Sequence, residues 1–419
     1  MVSLSRVFSL ALAALACVSA ARAQPTSVLF VGNSYTFGRV DPVMSYNAAN
    51  VHDLTASMYA ANASGANAFE PHPWGGVAGI FKQFTVQASL DYDVSLSTRN
   101  AASLRGHLLN TNSAGWDLRG NIGSRGWDKV VLQEQSDEPL AERPGLASNP
   151  DYFRNYANKI ENYVHSPAAQ SFRERDFFPG ATSADKQAAC VASGLSSGTC
   201  STTRNIPANV NADAATDLYL YQTWARPNLV DGAFLTTTDP VTGAVTRTAT
   251  PATTFFSDLE AMTSELKTSY QAAFDLADND GSFGFKGIAP VGEALMRAVT
   301  DGLATRDMWA GDALTDGLID LWFDDGTHAS KYGSYLSALT LFGSLTGLDP
   351  QSLGYNEIAA QDLGISRRDA YGLQQIAAVS LGLPMVSAPV PEPETYAMLL
   401  AGLGLLGLTA RRRRQKLDA

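Results

Sequence analysis

One short apolar run near the start of the chain limits the available folds more than any other segment does. Residues Val28 to Val31 are all apolar, and the run stops at Gly32, Asn33 and Ser34. A continuous apolar run of this length is typical of a strand that is buried on both faces of a parallel sheet. Because open α/β sheets carry their chemistry at the carboxyl ends of such strands, Ser34 is a candidate functional side chain.

Four further segments have the composition of strands, and helical patterns separate them along the chain. The five predicted strands are residues 28–31, 68–73, 129–132, 218–224 and 287–291. Strands that alternate with helices form right-handed βαβ units, so the pattern predicts an α/β fold with a mainly parallel five-stranded sheet. We expect one elaborated domain over residues 25–385, with polar insertions at about 141–215 and 233–254.

The amino-terminal segment has the composition of a secretory signal peptide. Residues 1–23 contain Arg6, then an apolar run from Val7 to Val18, and then Ala21-Arg22-Ala23 as a cleavage site. This stretch is too short and too rich in small residues to be a membrane-spanning helix. The sequence therefore predicts an exported protein that loses residues 1–23.

The carboxyl-terminal segment, residues 390–415, has three parts in a fixed order. Pro391-Glu392-Pro393 comes first, a short apolar run follows, and the arginines 411–414 close the segment. This arrangement resembles the PEP-CTERM sorting signal of Gram-negative bacteria. The resemblance implies processing by an exosortase, transient anchoring in the inner membrane through this segment, and delivery to the cell surface or extracellular matrix. A plain carboxyl-terminal membrane anchor is the alternative interpretation.

Charge and cysteine content exclude two other classes of function. The formal net charge of −11 argues against nucleic-acid binding, which requires a basic surface to meet the phosphates. Cys190 and Cys200 are an even pair in a predicted exported chain, so we expect a disulfide between them. Two cysteines without neighbouring histidines do not complete the four ligands of a zinc site, and no metal site is predicted.

A serine nucleophile needs a base within hydrogen-bond reach, and the base needs a third group that fixes its tautomer. Among the five histidines of the chain, His328 has the most suitable surroundings, because Asp325 precedes it by three residues across a Gly-Thr turn. That spacing allows the Asp325 carboxylate to meet one ring nitrogen while the other nitrogen points outward. Ser34, His328 and Asp325 are therefore the candidate catalytic residues.

Together these segments resemble the SGNH (GDSL-like) hydrolase family. Gly32-Asn33-Ser34 matches the nucleophile block, Gly75-Gly76 lies where the glycine of the second block is expected, and Asp325-Gly326-Thr327-His328 matches the Asp-x-x-His block. The segments follow one another in the family's order. The chain departs from the family in two places: Asn33 replaces an aspartate, and Gln133-Glu134-Gln135-Ser136 replaces the usual Gly-x-Asn-Asp.

The resemblance implies a three-layer flavodoxin-like sandwich and a serine esterase mechanism without metal or organic cofactor. Ser34 is then the nucleophile, His328 the general base, and Asp325 the residue that orients His328. The resemblance also implies an oxyanion hole, which is the set of donors that binds the developing negative oxygen. Its predicted members are the amide groups of Ser34, of Gly75 or Gly76, and the side chain of Gln135, with Gln133 as the alternative.

The expected function is a secreted esterase that acts on carboxylic esters, with acetyl esters on polysaccharide as the class favoured by the predicted location. The alternative is a surface or matrix protein that keeps the fold and binds glycan without turnover, for which Trp74, Trp224 and Trp322 are candidate stacking residues. A third hypothesis treats Gly32 to Thr36 as a phosphate loop on a flavin-binding sheet, but it leaves Asp325 and His328 without a role.

Overall fold

The computed structural model describes residues 24–386 apart from residues 40, 62–71, 112–116, 241, 243 and 314. The two predicted targeting segments, residues 1–23 and 390–415, lie outside the described residues. No helix among the described residues is long and apolar enough to cross a membrane.

The described residues form ten strands. They are β1 (Thr26–Gly32), β2 (His52–Asp53), β3 (Tyr92–Thr98), β4 (Lys129–Gln133), β5 (Gln170–Arg173), β6 (Thr203–Ile206), β7 (Asp217–Tyr221), β8 (Ala233–Thr238), β9 (Val245–Thr250) and β10 (Gly287–Ala289). Six of them make one sheet in the order β10-β7-β4-β1-β3-β2, and every neighbouring pair is parallel. The pairs β5–β6 and β8–β9 are separate antiparallel hairpins.

Strand β1 lies inside the sheet, with β3 on one side and β4 on the other. Its residues Val28 to Val31 have no solvent-exposed surface, as expected for an apolar run in a parallel sheet. Complete burial of one such side chain stabilises a fold by about 1.5–3 kcal/mol. The position of β1 also means that the loops after β3 and β4 flank the residues that follow β1.

The predicted α/β fold with a parallel sheet is confirmed, but the sheet has six strands instead of five. Without the two-residue edge strand β2, the strand order is that of flavodoxin-like sheets. Of the predicted strand 68–73, residues 68–71 lie outside the described residues, and His72 and Pro73 are not in a strand. Instead, β3 occupies the place beside β1. Its polar residues at 93, 95 and 97 conceal a strand that is mostly buried.

Helices make up most of the remaining ordered structure. They are α1 (Ser34–Phe37), α2 (Ala56–Ala61), α3 (Gly76–Gln87), α4 (Leu104–Leu109), α5 (Leu118–Ile122), α6 (Pro150–His165), α7 (Ser183–Ala192), α8 (Ser197–Ser201), α9 (Pro227–Val230), α10 (Leu259–Asn279), α11 (Val291–Thr300), α12 (Lys331–Thr346), α13 (Ile358–Asp362) and α14 (Arg367–Ser380). Short 3₁₀ turns occur at Ala48–Asn50, Glu174–Phe177 and Pro350–Leu353.

The long helices form two groups that flank the sheet. One group contains α3, α12 and α14, and the other contains α4, α6 and α10, while α11 contacts both α10 and α12. In the first group, Phe81 of α3 meets Phe30 of β1 edge to face, with the ring centroids 5.4 Å apart. In the second group, Phe153 of α6 packs on Tyr270 of α10 at 4.7 Å. The sheet is therefore the middle of three layers.

The segment predicted as the first insertion, residues 141–215, contains α6, the β5–β6 hairpin and a disulfide. Cys190 in α7 and Cys200 in α8 are joined, and their Cα atoms lie 6.0 Å apart. The segment 233–254 contains the β8–β9 hairpin. Both hairpins lie outside the six-stranded sheet, and the residues discussed below come mainly from the carboxyl edge of that sheet.

Candidate active site

Ser34 is the first residue of α1 and follows directly from the end of β1. The preceding residue, Asn33, caps this short helix by accepting a hydrogen bond from the Tyr35 amide at 3.1 Å. The Asn33 amide donates to Gln133 Oε1 at 2.9 Å, and its Nδ2 donates to the Ala102 carbonyl at 3.0 Å. Asn33 therefore connects the serine turn to the loop after β3 and to the last residue of β4.

The turn requires glycine at position 32 because the surrounding side chains leave no room for a Cβ. A Cβ there would lie 2.4 Å from Thr36 Oγ1 and 2.5 Å from Gln133 Oε1. The Gly32 carbonyl accepts a hydrogen bond from His107 Nε2 at 2.9 Å. Burial lowers the pKa of His107 to about 4, so this ring is neutral and serves as a hydrogen-bond donor at physiological pH.

His328 and Asp325 meet in one tight turn before α12. Asp325 Oδ2 lies 2.6 Å from His328 Nδ1, and Asp325 Oδ1 accepts the amide hydrogens of Thr327 and His328, each at 2.9 Å. Burial acts to raise the pKa of Asp325, but the hydrogen bonds from His328 and Thr327 outweigh it and hold that pKa below its usual value. The ionised carboxylate requires a proton on Nδ1, which leaves Nε2 as the basic nitrogen.

The basic nitrogen of His328 points at Ser34. His328 Nε2 lies 2.9 Å from Ser34 Oγ, within hydrogen-bond distance. Tyr35 packs edge to face on the imidazole with a centroid distance of 5.7 Å, and it also stacks on Trp224 with a centroid distance of 3.9 Å. The Ser34 side chain, the imidazole and the Asp325 carboxylate therefore form one continuous hydrogen-bonded chain.

The segment after β7 supports the turn that carries His328. Trp224 Nε1 donates to the Thr327 carbonyl at 3.0 Å, and the Asn228 amide donates to the Gly326 carbonyl at 3.2 Å. Gly326 has a φ of +61°, and a Cβ on it would lie 2.5 Å from the indole of Trp309. The two hydrogen bonds hold the turn in place. Position 326 requires glycine, because a side chain there would be strained at this backbone angle and would collide with the indole.

A cavity of about 260 Å³ opens beside Ser34 and His328. Its walls come from the ends of β1, β3, β4 and β7 and from the Asp325–His328 turn. The lining residues are Asn33, Ser34, Tyr35, Arg39, Asn100, Ala101, Gln135, Ser136, Asp137, Arg226, Thr327 and His328. Ala101 is the one aliphatic side chain in this set, and the other lining residues all carry hydrogen-bonding groups.

The structure contradicts the predicted oxyanion role of Gly75 and Gly76. The Gly75 amide donates to the Met44 carbonyl at 2.9 Å, and the Gly76 amide donates to the Val43 carbonyl at 3.1 Å. Neither amide is therefore available to a substrate oxygen, and neither glycine lines the cavity. Their role is packing: a Cβ on Gly75 would lie 1.7 Å from the carbonyl oxygen of Tyr46.

The two glutamines at the end of β4 have different surroundings. Gln133 is fully buried, and its Oε1 accepts hydrogen bonds from the Asn33 amide and from Thr36 Oγ1, while its Nε2 donates to the Glu134 carbonyl. Gln135 lines the cavity, and its Oε1 accepts the amide hydrogens of residues 137 and 138 at 2.8 and 3.1 Å. The geometry favours Gln135 over Gln133 as a donor to the cavity.

Sequence reasoning missed the loop after β3. Asn100 and Ala101 line the cavity, and Ala101 has a φ of +55°. Within the described residues, neither backbone amide of this pair donates a hydrogen bond. The polar residues at 93, 95 and 97 concealed β3, so the strand-end rule that selected Ser34 was not applied to the loop that follows it.

Sequence reasoning also missed Arg226, which connects three loops around the cavity. Its guanidinium donates to Ser136 Oγ at 2.9 Å, to Asp137 Oδ1, and to Thr327 Oγ1 at 3.3 Å. The side chain is 10% exposed, so these charge-assisted bonds are largely shielded from water. The sequence signal was a basic residue soon after the aromatic strand at 217–221, at a position where an exposed lysine or arginine is the ordinary expectation.

The carboxyl-terminal segment matches a known family of sorting signals. Residues 389–414 match the family model described as the PEP-CTERM protein-sorting motif. The chain carries a PEP-CTERM motif. This motif implies export, processing of the exosortase type, and a membrane-associated carboxyl-terminal tail in a Gram-negative bacterium. Among curated protein sequences, none matches the chain.

Several solved structures resemble this PEP-CTERM protein. A DUF4886 family protein from Bacteroides uniformis is 13% identical, with 87% of this chain and 98% of that chain covered and a TM-score of 0.41. A protein provisionally described as an SGNH hydrolase from Slackia heliotrinireducens is 16% identical, with 77% and 100% covered and a TM-score of 0.34. A carbohydrate acetylesterase from Sinorhizobium meliloti is 11% identical, with 77% and 99% covered and a TM-score of 0.33. None of the three assigns a substrate or a residue role to this chain.

Proposed function

We propose that this protein is an exported serine esterase in which Ser34, His328 and Asp325 form the catalytic triad. The observation that carries the proposal is the hydrogen-bonded chain from Asp325 through His328 to Ser34, with distances of 2.6 and 2.9 Å. A nucleophile, a base and an orienting carboxylate in this order are the parts that acyl transfer through serine requires.

In the first half of the reaction, Ser34 Oγ attacks the ester carbonyl carbon while His328 Nε2 takes the hydroxyl proton. The carbonyl π bond breaks, and its electron pair moves to the oxygen of the tetrahedral intermediate. His328 then returns the proton to the leaving alcohol as the C–O bond breaks, which leaves an acyl group on Ser34. The Asp325 carboxylate stabilises the imidazolium form of His328 during both transfers.

In the second half, a water molecule attacks the acyl carbon while His328 Nε2 takes one of its protons. The second tetrahedral intermediate collapses when the bond to Ser34 Oγ breaks, and His328 gives its proton to that oxygen. The products are the free carboxylic acid and the original enzyme. The scheme requires no oxidant, reductant or metal.

We assign the oxyanion hole to three groups around the cavity. The Ser34 amide donates no hydrogen bond within the described residues and lies beside its own nucleophilic oxygen. The side-chain oxygen of Gln135, Oε1, accepts hydrogen bonds from two backbone amides, which leaves the Nε2 group available to the cavity. The backbone amides of the Asn100–Ala101 loop take the place first expected of Gly75 and Gly76. One preorganised donor typically contributes about 3 kcal/mol to transition-state stabilisation.

The small volume of the cavity, about 260 Å³, and its many hydrogen-bonding groups favour a short acyl group and a hydroxyl-rich alcohol. A long acyl chain gains about 0.8 kcal/mol for each CH₂ that it buries, but only against apolar surface. The lining offers one aliphatic side chain, Ala101, and many hydrogen-bonding groups. Acetyl esters of carbohydrate fit this surface, and the PEP-CTERM motif supports a location at the cell surface or in the extracellular matrix, where such polysaccharides occur.

The test is hydrolysis of para-nitrophenyl acetate, butyrate and octanoate by the protein without its targeting segments, with Ser34→Ala as the control. We expect Ser34-dependent turnover that is fastest for acetate, together with release of acetate from acetylated polysaccharides. Equal inactivity of the wild type and Ser34→Ala on all of these substrates would overturn the proposal. Faster turnover of octanoate than of acetate would overturn its substrate class.

The alternative of glycan binding without turnover receives no support from the tryptophans that motivated it. Trp74 is 2% exposed, Trp224 is not exposed and Trp322 is 4% exposed, so their rings are core or scaffold groups instead of open stacking surfaces. Trp322 Nε1 donates to the Ala225 carbonyl, which places it under the loop that supports the His328 turn.

A further inference from the structure

The side chain of Glu134 has no role in the mechanism above, yet it lies between the two glutamines at the end of β4. It is 1% exposed, and a carboxylate is rarely buried to this degree without a compensating arrangement. Its Oε1 accepts two amide hydrogens, from Gln135 at 2.6 Å and from Leu104 at 2.9 Å.

These two amides belong to loops on opposite sides of the nucleophile. Leu104 begins α4, directly after the loop that contains Asn100 and Ala101, whereas Gln135 is in the loop after β4. Because β3 and β4 are the two neighbours of β1 in the sheet, a bond between their loops passes across the carboxyl end of β1. Glu134 therefore spans the end of the strand that presents Ser34.

A second carboxyl group, that of Glu138, interacts with Glu134. Burial, followed by the charge of Glu138, raises the pKa of Glu134 well above its usual value, although the amides of Gln135 and Leu104 act to lower it. Burial raises the pKa of Glu138 to about 7; Arg105 of α4 acts to lower it and Asp137 of the same loop acts to raise it. Tyr270 of α10 also interacts electrostatically with Glu134. Glu134 therefore favours its neutral form, and its ionised form would lie near the charge of Glu138.

We infer that Glu134 is a positioning residue, which joins the Asn100–Ala101 and Gln135 loops across the end of β1. The inference rests on the proposed function, because those two loops supply two of the three assigned oxyanion donors. When Glu134 ionises at alkaline pH, its buried carboxylate and the charge of Glu138 repel each other. The loop that carries Gln135 and Glu138 then loses its fixed position, and the oxyanion donors lose their alignment.

The conservative variant Glu134→Gln distinguishes the effect of ionisation from the effect of the two hydrogen bonds that Glu134 accepts. Its carbonyl oxygen still accepts from Gln135 and Leu104, but the side chain does not ionise. We expect kcat for para-nitrophenyl acetate within about threefold of the wild type at neutral pH and a weaker loss of kcat towards pH 9. Glu134→Ala removes the bridge, and we expect kcat to fall by about 10- to 100-fold with a small change in KM, because misplaced catalytic groups cost rates of that order.

Glu357 provides a matched control for the loss of a buried, amide-bound carboxylate. It is 1% exposed and accepts the amide hydrogens of Ala359 and Ala360, each at 2.7 Å, and it does not line the cavity. Glu357→Ala should lower thermal stability while the kcat of the folded protein and its pH profile stay unchanged. If Glu134→Ala behaves in the same way as Glu357→Ala, the inference is wrong.

Hydrogen exchange separates failure of this inference from failure of the proposed function. We expect the amides of Leu104 and Gln135 to exchange faster in Glu134→Ala than in the wild type, and faster in the wild type at pH 9 than base catalysis alone explains. Unchanged exchange, or a Glu134→Gln pH profile identical to that of the wild type, would overturn the inference. An inactive wild type with the expected exchange would overturn the proposed function but leave the Glu134 bridge in place.

Discussion

His328 Nε2 lies 2.9 Å from Ser34 Oγ although 294 positions separate the two residues in the chain. The contact depends on two turns that the rest of the fold holds from different sides. Asn33 and Gln133 fix the serine turn, and Trp224 and Asn228 fix the turn that carries His328. The predictions below test whether these supports have the catalytic consequences that their geometry implies.

Replacement of Asp325 should remove catalysis without unfolding the protein. Asp325→Asn leaves an amide that cannot enforce a proton on His328 Nδ1, so the imidazole is expected to present the wrong tautomer to Ser34. We expect kcat for para-nitrophenyl acetate to fall by about 10⁴-fold. Asp324→Asn is the matched control: Asp324 is 47% exposed and lies 3.7 Å from Arg247, and its loss should change kcat by less than about threefold. Similar losses in both variants would contradict the assigned role of Asp325.

The two glutamines should respond to truncation in opposite ways. Gln135→Ala removes a proposed oxyanion donor, and we expect kcat to fall by about 10²- to 10³-fold. The loss of stability should be smaller than in Gln133→Ala, because the two amides that Gln135 Oε1 accepts are only partly buried and water can replace it. Gln133→Ala leaves the buried Asn33 amide and Thr36 hydroxyl without their acceptor, which should lower the free energy of unfolding by about 1–3 kcal/mol. Steady-state kinetics and thermal denaturation of both variants decide the assignment. A large kcat loss without destabilisation in Gln133→Ala would reverse it.

Gly76→Ala should affect folding instead of chemistry. Gly76 has a φ of +60°, and an added Cβ would lie 2.4 Å from the carbonyl oxygen of Phe37. The left-handed conformation alone costs a non-glycine residue about 1–2 kcal/mol, and the steric contact adds to that cost. We expect a lower thermal midpoint while the folded fraction keeps its kcat. Gly198→Ala is the control, since a Cβ there would meet only Ser196 Oγ at 3.8 Å.

Stability should depend on pH through Glu138. Its pKa in the folded protein is about 7, above the usual value of 4.5, so the unfolded chain releases this proton at lower pH than the folded protein does. The folded state therefore binds more protons between about pH 4.5 and pH 7, and the free energy of unfolding falls as pH rises through that window. Glu138→Gln removes this proton-linked destabilisation and should be more stable than the wild type by about 3 kcal/mol at pH 8, with similar stability at pH 4. Thermal denaturation across this range tests the difference, and a constant offset at all pH values would contradict it.

The sequence was sufficient to predict the side chains of the candidate site that lie within a single turn of the chain. Val28–Val31 followed by Gly32 was sufficient to locate a strand end with Ser34 on it. The Asp325-Gly326-Thr327-His328 spacing was sufficient to pair a carboxylate with an imidazole. Both signals are local, because each depends on residues that are neighbours in the chain.

The sequence did not predict groups whose roles depend on sheet order. Gly75 and Gly76 were assigned to the oxyanion hole, but β3 is the neighbour of β1, and the loop after β3 contains Asn100 and Ala101. Strand β3 was obscured by its polar residues, which face the interior beside other polar groups; Ser97 Oγ, for example, accepts a hydrogen bond from Asn121. The bridging roles of Glu134 and Arg226 likewise follow from which strands are adjacent, which local patterns do not determine.

The central position of β1 has a consequence for how the molecule acquires activity. Ribosomal synthesis adds the other parts of the site after β1. They follow in chain order as β3, β4, the segment after β7 and the His328 turn. Ser34 is therefore synthesised early, and its proposed base, His328, is added only after most of the domain has been synthesised. A chain halted before Asp325 holds a nucleophile without a base. On the proposed mechanism, hydrolytic competence can therefore arise only late in the synthesis of the chain.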